Sequence, residues 1–224
     1  MARLFMVPWF AASRPSAAKM ASTILWEIST FPAATALVIH RLTGVPFSFT
    51  AHGSDIHVVQ RMLAQKIRAS RFAVMISDYN RRFVLERCGR ALADKLVTIH
   101  CGIRPEDYQP GRAPSPAQGG FSILCVASFG EVKGHTYLID ACRALRERGV
   151  DFTCHLVGDG PLRQAITDQI TAAGLTDHFV LHGALPRQKV AQLLKEADAA
   201  VLTSVLTERG DREGIPVALM EAMA

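Results

Sequence analysis

Ser122-Ile123-Leu124-Cys125-Val126-Ala127, then a turn containing Gly130 and Gly134, then the helical pattern of residues 134–148, then Phe152-Thr153-Cys154-His155-Leu156-Val157, is the stretch on which the fold turns. Short apolar runs bounded by turn residues are what a strand buried on both faces requires, and a helix between two of them is the crossover of a parallel pair. The alternation continues outward: helix 161–173, strand 178–181, helix 187–196, strand 199–203, and a last helix carrying Glu221. Toward the N-terminus, strands are expected over 46–51, 72–76 and 95–99, with helices over 32–43, 58–69 and 78–88, the last capped by Asp78. Between the blocks, residues 104–119 hold Pro105, Pro110, Gly111, Pro114, Pro116 and Gly119, and read as a linker. The expected organisation is therefore α/β: residues 1–103 and 120–224 as two parallel-sheet domains around a cleft, with ligands at the carboxyl ends of the strands. The first block shows about three strands and no Gly-rich phosphate turn near its start, and the second stops within a helix, so a segment lacking both flanks is expected.

Composition narrows the class. The 224 residues are 49% hydrophobic and carry a net charge of +5. No run of about eighteen uncharged apolar residues occurs, so no spanning helix is expected. Met1 to Phe10 is apolar but short, is followed by Pro15 and lacks a basic leader, which argues against a secretory signal. The five cysteines are scattered without a Cys-x-x-Cys, as suits reduced, mostly buried thiols in the cytoplasm. Residues 1–110 hold 14 Lys and Arg against 7 Asp and Glu, and the remainder 11 against 13. Much of the positive charge falls in residues 60–71 and at Arg81, Arg82, Arg87 and Arg90. Two readings are open, a solvated face or a surface that meets anionic lipid or an acidic acceptor. Nucleic acid is disfavoured because aromatic residues are not interleaved with the cations.

The chemistry-bearing residues sit at strand ends and helix starts. Cys125 to Gly134 ends a strand and places Lys133 in the following turn, as a solvated cation or as a point charge for a phosphate. Gly158-Asp159-Gly160-Pro161 ends the next strand. At the C-terminus, Glu213-Gly214-Ile215-Pro216 leads into a helix with Pro216 suited to its first position and Glu221 inside it. The free N–H groups of Gly214 and Ile215 would take a phosphate, and the carboxylates would bond sugar hydroxyls or simply lie in solvent.

In this order, with Phe47 to Ile56 (including His52), Ile76 to Asn80 and Ile99 to Ile103 in the first block, the chain resembles the retaining family 4 glycosyltransferases of two-domain GT-B fold, and among them those building bacterial surface polysaccharide of the colanic acid type. Glu213 and Glu221 form that family's Glu-x7-Glu signature. The resemblance implies that Lys133 neutralises the donor diphosphate, that Glu221 bonds the nucleotide ribose, and that Glu213 lies against the donor sugar with the N–H groups of Gly214 and Ile215. It further implies that His52 faces that sugar from the other domain. It implies a metal-independent hexosyltransferase, no cofactor, a nucleotide-sugar donor, a lipid-linked saccharide acceptor and a cytoplasmic site, peripheral on the membrane. Ser128 departs from the pattern, standing where family members carry a second cation; losing one charge-assisted contact costs on the order of 1.5 to 3 kcal/mol. Arg209 and Arg212 are candidates to compensate. Ser128 also keeps open a non-catalytic nucleotide-sugar-binding or partner-binding protein, whereas the Glu-Gly-Ile-Pro pattern sets aside the non-hydrolysing nucleotide-sugar epimerases of the same fold. The segment by itself is expected to be inactive.

Overall fold

A computed structural model describes residues 24–26, 30–58, 60–108 and 120–224. The chain divides into two compact units, Met1–His100 and Cys101–Ala224. The first unit runs β1 (Ile24–Trp26), α1 (Thr30–Thr43), β2 (Phe47–Ala51), α2 (Gly53–His57), α3 (Leu63–Ala69), β3 (Ala73–Met75), α4 (Asp78–Cys88) and β4 (Leu96–Thr98). Its strands form one all-parallel sheet in sequence order. Phe47, Phe49 and Ala51 alternate along β2 and fall in one buried cluster with Ile67, Met75 and Val84, as the two-residue period of a strand dictates.

Two expectations change here. The helix read over 58–69 begins only at Leu63, as α3, and a separate short helix, α2, precedes it at Gly53–His57, with Met62 left-handed at φ 58° between them. The start of α2 has a local cause: Asp55 Oδ2 accepts from the backbone N–H of His52 at 3.1 Å, the reaching-back half of a capping box. The cap of α4 is Ser77, not Asp78: Ser77 is extended and its hydroxyl accepts from the N–H of Asn80 at 3.1 Å. Asp78, one residue in, instead accepts from the Thr98 hydroxyl at 2.8 Å. Ser77→Ala should therefore cost about 1 kcal/mol and Ser77→Gly only a few tenths. The check is the urea midpoint, together with amide exchange at Asn80; equal effects of the two substitutions would remove the capping role.

The second unit runs β5 (Phe121–Val126), α5 (His135–Glu147), β6 (Phe152–Val157), α6 (Arg163–Ala172), β7 (Phe179–Gly183), α7 (Arg187–Glu196), β8 (Ala199–Ala200) and α8 (Val217–Met223). The parallel sheet has the order β7-β6-β5-β8. Alternate residues of β5 serve opposite faces: Ile123 and Cys125 join Leu138, Ile139 and Ile166, while Leu124 joins Val157 and Val190. That two-sided burial is why β5 reads as the unbroken apolar run Ile123 to Ala127. The strand expected over 199–203 ends after Ala200; Val201 still donates to Leu124 O, but the chain then leaves the sheet. Residues 104–108 of the stretch read as a linker lie in this unit, with a 3-10 turn at Pro105–Asp107 and a buried Tyr108, while 109–119 lie outside the described residues. The five cysteines are free thiols, and Cys125, Cys142 and Cys154 are buried. Among the described residues no helix is long and apolar enough to cross a membrane.

Candidate functional site

The carboxyl ends of β5, β6 and β7 are laced together by their loops. Ala127 N donates to Val157 O at 2.9 Å, Phe129 N to Asp159 O at 3.0 Å and Gly158 N to Gly183 O at 2.9 Å. Lys133 closes the 3-10 turn Glu131–Lys133 at this end of the sheet. The segment following β8 is bound to that turn: Val205 N donates to Val132 O at 2.9 Å, and the Thr203 hydroxyl reaches Lys133 O at 3.2 Å and Gly134 O at 2.9 Å. Gly134 is left-handed at φ 59°, and a Cβ there would lie 2.1 Å from Thr203 O. Only glycine lets the two segments meet this closely.

The segment from β8 carries Glu213 to Lys133. The Lys133 ammonium donates to Glu213 Oε2 and forms an ion pair with it, and the Ser204 hydroxyl donates to the same oxygen at 3.2 Å. Both charged side chains are about one-fifth exposed, at 21% and 23%, so the pair is open enough to exchange partners. Glu213 Oε1 has no hydrogen-bond partner among the described residues. Burial holds the neighbouring groups neutral: it pushes the Cys125 thiol up to about 11, and it lowers His135, with the Lys133 charge lowering that imidazole further. His135 packs edge-on to Phe129 at 5.0 Å. Lys133 thus brings a cation to this strand end, paired with Glu213 and close to a neutral thiol and imidazole.

Gly214 and Ile215 follow Glu213, and their N–H groups make no hydrogen bond among the described residues. Pro216 is not the first helical residue, as expected, but the cap before it, with ψ 92°; α8 begins at Val217. Glu221 lies within α8 and accepts from the Tyr108 hydroxyl at 2.5 Å. Tyr108 in turn accepts from Arg187 Nε at 2.9 Å. Sequence reasoning passed over Tyr108, Arg187, Thr203 and Ser204. An aromatic within a proline-rich stretch was the one visible signal for Tyr108.

Ser128 is exposed, with its carbonyl accepting from Gly130 N, so no second cation stands at that position. Arg209 is exposed and Arg212 half-buried. His52 lies in the first unit directly after β2, half-buried. The basic set of that unit is partly structural rather than a free face. Lys66 is only 1% exposed, and burial lowers its pKa against the opposing pull of Asp55. Arg81 donates to the carbonyls of Ala93 and Leu96, and Lys95 to those of Arg68 and Ser70. Arg61, Arg68, Arg71, Arg82, Arg87 and Arg90 are exposed.

Comparison with known proteins bears on the family and the fold. The family described as "Glycosyl transferases group 1" matches residues 112–224. The chain is 37% identical over 131 residues to the Escherichia coli (strain K12) protein named for colanic acid biosynthesis, the glycosyltransferase WcaL, a match covering 58% of this chain and 32% of that protein. It is 38% identical over 132 residues to the amylovoran biosynthesis glycosyltransferase AmsK of Erwinia amylovora, covering 59% and 32%. The matches thus span about a third of the length of these curated relatives. Among solved structures, Anabaena Alr3699/HepE, crystallised with UDP and glucose, superposes with a TM-score of 0.66 at 19% identity, covering 89% of this chain and 56% of that one.

Proposed function

The chain belongs to the group 1 glycosyl transferases and has their GT-B fold; from this we propose that it acts in a retaining glycosyltransferase that moves a hexose from a nucleotide-diphosphate sugar to a growing surface polysaccharide. The observation that carries the reading is the pairing of Lys133 with Glu213 at the carboxyl end of a parallel sheet, next to the N–H groups of Gly214 and Ile215, which make no hydrogen bond among the described residues. Departure of the diphosphate builds negative charge on the leaving group and positive charge on the sugar. Lys133 meets the first, with the N–H groups of Gly214 and Ile215 beside it, and Glu213 steadies the second as Lys133 turns to phosphate. Glu221 takes the ribose hydroxyls, and His52 serves the donor sugar. The cation in this mechanism is Lys133, no metal or cofactor is invoked, and the nucleotide sugar is a substrate. Relatives named for colanic acid and amylovoran biosynthesis support a bacterial surface glycan as product, and HepE, crystallised with UDP and glucose, supports a nucleotide-sugar donor. A lipid-linked saccharide would present the acceptor hydroxyl at the cytoplasmic membrane face, met peripherally through the exposed arginines of the first unit.

The test is transfer of labelled sugar from UDP-, GDP- and ADP-linked donors to a lipid-linked saccharide in anionic and in neutral vesicles, using the full-length protein. Turnover with one donor is expected, faster on anionic vesicles, and Glu221→Ala should weaken binding of the free nucleotide by about tenfold. Donor binding without transfer to any acceptor would instead favour the non-catalytic binding protein that Ser128 keeps in view, and unchanged nucleotide affinity in Glu221→Ala would remove the ribose role.

A further inference from the structure

Tyr108 and Arg187, which have no part in the mechanism above, converge on one oxygen of Glu221. Tyr108 is 6% exposed, so its phenol is fixed. Its oxygen accepts from Arg187 Nε at 2.9 Å, and its hydrogen goes to Glu221 Oε1 at 2.5 Å. The direction is forced: a guanidinium only donates, so the single phenolic proton is left for the carboxylate. Arg187 is itself held, pairing with Asp107 Oδ2 at 3.2 Å and lying 5.2 Å over the Tyr108 ring. Its Nε is also 4.0 Å from Glu221 Oε1. Glu221 Oε2 has no partner among the described residues. One oxygen is pinned and the other is left to accept.

From this geometry we propose that Tyr108 and Arg187 are positioning residues that set the Glu221 carboxylate for the ribose diol of the donor without touching the nucleotide. The inference rests on the ribose role given to Glu221 above. A glutamate otherwise spends rotamer freedom to reach a ligand, a cost that a preset side chain has already met on folding. The relay acts on the ribose alone, which separates it from a general structural tie.

Calorimetric titration of the full-length protein with uridine, guanosine and adenosine diphosphates, each beside its 2′,3′-dideoxy counterpart, reads that distinction. The wild type should prefer the ribo form of the base it binds. Tyr108→Phe should reduce that preference about 5- to 10-fold while leaving the dideoxy affinity unchanged. Arg187→Gln, at a half-exposed side chain, should act in the same direction. Tyr108→Phe combined with Glu221→Ala should be no worse than Glu221→Ala alone. The relay is overturned if Tyr108→Phe and Arg187→Gln leave the ribose preference intact while Glu221→Ala abolishes it, or if they weaken both nucleotide forms equally. If Glu221→Ala itself leaves the preference unchanged, or no diphosphate binds, the ribose reading falls first and the relay with it.

Discussion

Gly134→Ala is expected to destabilise the second unit by about 3 to 4 kcal/mol, a large fraction of the 5–15 kcal/mol by which a domain is ordinarily stable. Two costs combine. A left-handed residue carrying a Cβ loses roughly 1 to 2 kcal/mol, and forcing extra volume into a closed site costs a further 1 to 3 kcal/mol. The second cost is the decisive one here, because the new Cβ would meet Thr203 O at 2.1 Å and Thr203 C at 3.2 Å, both backbone, with Val205 Cγ1 at 3.1 Å. Backbone cannot swing aside as a side-chain tip would, so the segment from β8 must lift from the Lys133 turn. Gly149→Ala is the control: φ is 70° there, and nothing lies within 4 Å of the added carbon, so only the conformational cost of about 1 kcal/mol is expected. Urea unfolding with amide exchange at Val205, which donates to Val132 O, would measure both. Comparable losses in the two variants would show that the contact with Thr203 carries no weight.

That contact also marks the limit of what the sequence makes visible. Lys133, Glu213 and Glu221 stand out because each sits in a short motif at a strand or helix end. That Lys133 and Glu213 touch is a relation across eighty positions, set by β8 leaving the sheet after Ala200 so that Thr203 and Val205 can bind the Lys133 turn. No local pattern encodes it. The tie from Tyr108 to Glu221 spans 113 positions, and a stretch dense in proline reads as a breaker whatever its aromatic side chain packs on. β5 is legible because burial on both faces leaves the unbroken apolar run Ile123 to Ala127, and β6 because buried Phe152, Cys154 and Leu156 alternate with half-buried Thr153 and His155. β1 is not: Ile24-Leu25-Trp26 is three residues long, too short to show any period. The break between α2 and α3 turns on Asp55 capping back to His52 and on the left-handed Met62. Apolar periodicity is blind to a carboxylate turned onto its own backbone.

Lys133→Met is expected to weaken binding of a nucleoside diphosphate by about 10- to 100-fold and to leave binding of the bare nucleoside unchanged, because the ammonium answers charge on phosphate and nothing on the base or ribose. Turnover should fall further, by about 10² to 10³, since the charge that Lys133 meets grows as the bond to the sugar breaks. The position of Ser128 sharpens the effect, because that residue supplies no second cation. In the free protein Lys133 is already paired with Glu213, and binding must exchange that partner for the diphosphate. Glu213→Gln alone should therefore strengthen diphosphate binding modestly while impairing transfer, an opposition that no simple unfolding would produce. Lys133→Met leaves Glu213 with the Ser204 hydroxyl as its one remaining donor among the described residues, which destabilises the site for reasons unrelated to phosphate. The double variant Lys133→Met with Glu213→Gln removes that stranded charge. If it regains stability but still discriminates against the diphosphate, the cation acts on the ligand. If its diphosphate affinity returns to that of the wild type, Lys133 serves the fold alone, and the leaving-group role passes from it.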